Sequence, residues 1–169
     1  MTARPLEFHS RRSWRSILIG PRSYFGIQGR LAWLVVAVTC AVALGTARYL
    51  PPDPRGHGTH EALGMPPCSF MLISGIPCPT CGMTTAFSLV MHGRPWAALI
   101  AQPAGFVLCI GTFALMVASM RFAAQGHMVT PNWDRIGPVR FTLGFGFLLL
   151  TAWGFKIVHG MLASELPIR

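Results

Sequence analysis

Three of the five cysteines stand in one short stretch: Cys68, then Cys78-Pro79-Thr80-Cys81-Gly82. Two thiolates two residues apart on a tight turn, with glycine after the second, can grip one Zn²⁺ at about 2.3 Å. Backbone N–H groups of such a turn point at the sulfurs and share their charge. A closed zinc site needs four ligands, and the pair supplies two. Cys68 is a candidate third ligand. His57 or His60, from His57-Gly58-Thr59-His60, is a weaker fourth. The same residues suit thiol–disulfide exchange, because a C-x-x-C that opens a helix puts a sulfur at the positive end of the helix dipole and lowers its pKa. Cys78 would then attack and Cys81 resolve. The flanking sequence has no βαβ pattern for a thioredoxin-like domain. A third use is structural, a disulfide from Cys68 to one of the pair if the segment faces an oxidising compartment. The cofactor expected is therefore zinc or none.

The elements around these residues read as membrane elements. Of 169 residues, 52% are apolar and 11% charged, where a soluble domain carries about 25% charged residues. The uncharged run Leu31–Ala47 is bracketed by Arg30 and Arg48, and extended to Leu50 it makes a first span of 20 residues, about 30 Å long as a helix. Its length and the 30 residues before it make an uncleaved anchor a better reading than a signal peptide. Its small residues Ala37, Ala41 and Gly45 offer a packing face, although such residues are common in membrane helices. Further spans run over about 103–122 and 138–158, the last completed by Arg140 and Lys156 snorkelling outward. Cys40 and Cys109 lie inside spans, where a thiol acts as a small apolar group. Trp33, Tyr49, Trp133 and Trp153 lie near span ends, where amphipathic rings prefer the interface.

The cysteine stretch itself does not fit a span. The 32 residues between Glu61 and Arg94 carry no formal charge, yet residues 64–82 hold Gly64, Pro66, Pro67, Gly75, Pro77, Pro79 and Gly82. That density of breakers stops a continuous helix. Only Gly82–His92 is helix-compatible, about 16 Å long, so the segment is expected to be a re-entrant or interfacial turn followed by a short helix.

Charge sets an expected orientation. Thirteen Arg and one Lys oppose five acids, and six of the Arg lie within residues 1–30. With three spans and the N-terminus in the cytoplasm, nine basic residues lie inside and five outside. A fourth crossing through 68–93 leaves the same nine to five, so the breakers alone favour three spans. The scatter of the remaining Arg at the ends of apolar runs argues against a nucleic-acid groove. No phosphate loop, G-x-S-x-G or H-E-x-x-H is present, and the five acids are too dispersed for a paired-carboxylate site.

Cys68-Ser69-Phe70, Ser74-Gly75-Ile76-Pro77-Cys78-Pro79-Thr80-Cys81-Gly82-Met83-Thr84, His92-Gly93 and Gln102-Pro103 together resemble the bacterial membrane family known as domain of unknown function 2752. Its pattern is like C-P-F-x(3)-T-G-x-x-C-P-x-C-G-x-T-R, with a helix ending near Gly and an N-P that opens the next span. The resemblance is close over about residues 64–105 and looser over the three-span layout. Ser69 stands where the family has Pro, Thr85 where it has Arg, and Gln102 where it has Asn. The resemblance implies an architecture and a focus on the cysteine turn; it implies no reaction.

The expected protein is all-α, with three transmembrane helices plus a short re-entrant or interfacial helix after the Pro/Gly/Cys-rich turn. Residues 1–30 form a basic cytoplasmic segment and 31–169 a single membrane domain. It is multi-pass in the inner membrane, its partners are the lipid bilayer and other membrane proteins, and nucleic acid is not among them. The expected role is binding or accessory, the cysteines holding a metal or a structural disulfide. The alternative is a membrane thiol–disulfide oxidoreductase using Cys78 and Cys81.

Overall fold

The computed structural model describes residues 19–131 and 137–162. Among the described residues, three helices are long and apolar enough to cross a membrane: α1 (Ile27–Tyr49), α5 (Pro103–Gln125) and α6 (Pro138–Leu162). Each is a few residues longer than its apolar run, because Gln28, Arg30 and Arg48 continue α1 and Arg121 and Gln125 continue α5 as ordinary helix formers. Pro103 occupies the first turn of α5, where a missing N–H costs nothing, and Gly126 ends that helix at φ 69°.

α1 and α5 form the most extensive helix pair. The buried residues of the two helices are mostly small: Ala37, Cys40 and Ala47 on α1, and Ala104, Gly105, Cys109 and Ser119 on α5. Small side chains let backbones approach closely where lipid removes the hydrophobic drive between helices. The α1 face in use is Ala37, Cys40, Leu44 and Ala47; Gly45 meets nothing within 4 Å, so the Ala37/Ala41/Gly45 stripe is not the packing face. Outward, Leu31, Val35, Val38, Phe113, Phe147 and Leu150 remain exposed. So much contiguous apolar surface suits lipid and not water.

The breaker-rich segment folds as three short helices: α2 (Ser69–Ser74), α3 (Met83–Met91) and α4 (Pro95–Ala101), preceded by a 3-10 turn at Thr59–Leu63. α3 is about 13 Å long, too short to cross. It packs on α1, α4 and α5, with Ala86, Leu89, Ala98 and Ala101 as its buried cluster. Gly105 makes this approach possible, since a Cβ there would stand 2.9 Å from that of Ala86. Ser88 Oγ donates to the carbonyl of Leu50 at 2.6 Å, tying α3 to the end of α1. The uncharged stretch after Arg94 is not one helix. Gln102 is extended (φ −162°, ψ 103°), as the residue before a proline tends to be, and separates α4 from α5.

A short two-stranded ribbon accompanies the helices. Strand β1 (Ile19–Tyr24) pairs antiparallel with β2 (His127–Pro131), Tyr24 opposite His127, with an irregular register between Ile19 and Arg22. The chain enters α1 beside the point where it leaves α5, and free backbone groups of the two segments satisfy each other there. Pro21 has no N–H to donate, consistent with the slip. Residues 19–30 of the expected basic segment are thus strand and the start of α1; residues 1–18 and Trp133 lie outside the described residues.

Candidate metal centre at the cysteine turn

Cys68, at the N-terminal boundary of α2, and Cys78 and Cys81, on the turn before α3, bring their sulfurs within 4.8 Å of one another. Cys81 is buried and the other two are half-buried; all are free thiols. Three sulfurs about 2.3 Å from one tetrahedral ion would stand about 3.8 Å apart, so the arrangement has the dimensions of a metal centre. Its donors are soft, the kind that select zinc or copper(I) over magnesium or calcium.

The turn is tightly made. Cys81 N–H donates to Cys78 O at 3.0 Å and Met83 N–H to Thr80 O at 3.1 Å, while Thr80 Oγ1 lies 3.4 Å from Cys78 Sγ. Gly82 then turns the chain into α3 at φ 86°, a conformation that favours glycine. A Cβ there would strike Lys156 Nζ and come within 2.6 Å of Gly56 O.

Three side chains from distant sequence grip the turn by its carbonyls. Gln102 Nε2 donates to Pro79 O at 2.7 Å, Trp153 Nε1 to Pro77 O at 2.7 Å, and Lys156 Nζ to Cys81 O at 2.8 Å and Gly56 O at 3.3 Å. Lys156 and Trp153 therefore turn inward to the cysteine turn and not outward to the interface. A satisfied carbonyl is a stronger draw than headgroup water for a donor at that depth.

The surroundings separate the three thiols. Burial pushes Cys68 up, but N–H groups of Met71, Cys78 and Phe70 and the Cys78 side chain pull it, on balance, below the ordinary thiol value. Burial pushes Cys81 up to about 11, against the pull of the Lys156 ammonium. Neither His57 nor His60 joins the sulfur group. His57 Nδ1 is 2.8 Å from Arg55 O, and His60 sits in the 3-10 turn. That loop folds on itself: Arg55 Nη2 bonds Asp53 at 2.7 Å and Glu61 at 3.2 Å, and the Arg55 guanidinium holds the Asp53 carboxyl below its ordinary value.

Residues 68–117 match the profile of the family described as Protein of unknown function (DUF2752). No curated protein and no solved structure matches the chain. The DUF2752 match begins at Cys68 and ends inside α5, so it takes in all three sulfurs and Gln102, while Trp153 and Lys156 fall beyond it. At two positions where the resemblance expects other residues, the structure gives the replacement a partner. Thr85, in place of Arg, is fully buried with its hydroxyl 2.8 Å from that of Thr59, which accepts the N–H of Asp53 at 3.0 Å. Gln102, in place of Asn, holds Pro79 O, and its Oε1 is buried without a partner among the described residues.

Sequence reasoning found the three cysteines and missed Gln102, Trp153 and Lys156 as their supports. Lys156 is the one lysine of the chain and lies in its last apolar run, which is the signal that marks it.

Proposed function

We propose that this is an inner-membrane protein whose Cys68, Cys78 and Cys81 bind one thiophilic metal ion, zinc first, in a binding or accessory role without turnover. The observation that carries the reading is the convergence of three sulfurs from two separate segments. Thiol–disulfide exchange needs two, with the attacking one exposed and acidic. Here a third sulfur, Cys68, closes on the C-x-x-C pair from a separate segment, which favours a shared ligand over a dedicated two-thiol exchange. When bound, zinc would cross-link α2 to the turn before α3 and add its binding energy to folding. The Lys156 ammonium offsets the net negative charge that three thiolates leave on a divalent ion.

Three protein donors leave a fourth position for water or for a donor from a partner membrane protein, since the histidines stand elsewhere. The Arg-rich N-terminal segment favours a cytoplasmic N-terminus, and the ends of α1, α5 and α6 beside the cysteines then face outward.

Cobalt(II) substitution tests the reading. The wild-type chain should show an intense thiolate-to-cobalt charge-transfer band that weakens in each of C68S, C78S and C81S. A band of unchanged intensity in C68S would remove Cys68 from the site, and no band in the wild type would end the proposal.

A further inference from the structure

A cavity of about 780 Å³ lies at the same end of the helices, between the loop 52–57, α4 and the C-terminal part of α6. None of the cysteines lines it, so it is a separate feature from the sulfur site. Its charged lining is Arg55, Arg94 and Lys156, with His57 and His159, against one carboxylate, Asp53. Asp53 is already taken, bonded to Arg55 at 2.7 Å. Among the described residues, Arg94 and Lys156 have no carboxylate within ion-pair distance. Arg94 and Lys156, the latter held on Cys81 O and Gly56 O, thus line one cavity with no carboxylate to balance them. Near a membrane, where the dielectric is low, that arrangement is costly unless an anion supplies the balance.

The rest of the wall decides the kind of anion. Leu89, Ala97, Ile100 and Met71 give it an apolar side, and Ile100 is half-exposed at the surface. A guanidinium fork and an ammonium together suit the oxygens of a phosphate, which accepts several charged hydrogen bonds at once. The depth is that of lipid headgroups, at the ends of spanning helices.

We propose that this cavity binds a phosphate-bearing anion, with Arg94 and Lys156 as its principal contacts. The phosphate can come from the headgroup of an anionic phospholipid or from a free phosphate ion. The full-length chain in neutral detergent distinguishes them: native mass spectrometry with phosphatidylglycerol and phosphatidylcholine, and equilibrium dialysis with labelled inorganic phosphate. Retention of phosphatidylglycerol at least about tenfold over phosphatidylcholine, falling by about tenfold or more in R94Q, assigns the lipid headgroup. Saturable phosphate uptake lost in R94Q assigns the free ion. An I100E variant, which places an acid on the apolar wall, should weaken either ligand. Equal retention of the two lipids with no phosphate uptake, or wild-type binding by R94Q, would overturn the proposal.

Discussion

Cys78 and Cys81 are two residues apart yet sit in different surroundings. Cys81 is buried under α6 with the Lys156 ammonium on its carbonyl, whereas Cys78 is half-buried beside Thr80. A metal shared between them, with Cys68 as third donor, makes each sulfur necessary. C78S is therefore expected to lose bound metal almost as fully as C78S/C81S, read as metal per chain after purification. Retention of more than half the metal by the single variant would mean that Cys78 is not a ligand. Lys156 acts through its charge, so K156M should weaken metal binding by about tenfold and K156R should restore most of it, measured by chelator competition. Equal affinity in K156M would show that the ammonium only ties the turn. The cysteine trio was legible from spacing on a turn. The residues that hold it were not, because Trp153 and Lys156 lie about 75 residues away and reach it only through the path of α6.

The elements show why the segment after Glu61 is short helices and not a span. Gly75 ends α2 and Gly93 follows α3, both at positive φ, Gly82 turns the chain into α3, and extended Gln102 ends α4, so each of these helices stays within three turns. At Gly82 a Cβ would meet both the backbone conformation and the carbonyl of Gly56 at 2.6 Å. G82A is expected to destabilise the chain by more than about 2 kcal/mol in thermal unfolding in detergent. A melting temperature within a degree of wild type would mean that the turn relaxes freely. W153F removes the donor to Pro77 O and leaves that carbonyl unpaired, at a cost of about 1–3 kcal/mol. The same variant should speed maleimide labelling of Cys78; unchanged labelling would uncouple α6 from the turn. The three long helices and the short α3 were readable from apolar length and breaker density. The β1–β2 ribbon was not, because its pairing depends on α1 and α5 lying side by side, which no local pattern encodes.

At the scale of the molecule, two ends carry different chemistry. The ribbon and the entry to α1 mark one end; the cysteine turn, the loop 52–57 and the cavity mark the other. An odd number of spans separates them, so the orientation of residues 1–30 decides where the sulfurs stand. With those residues in the cytoplasm, A62C in the exposed 3-10 turn should react with a membrane-impermeant maleimide from outside intact cells. Reaction only after the membrane is opened would invert the protein and return the cysteines to a reducing compartment. The central claim, that three converging sulfurs hold a metal, is tested most directly by the metal content of the chain purified without chelators. About one zinc per wild-type chain is expected, and none in folded C78S/C81S. No metal above background in the wild type, with all three thiols titrating freely, would contradict it.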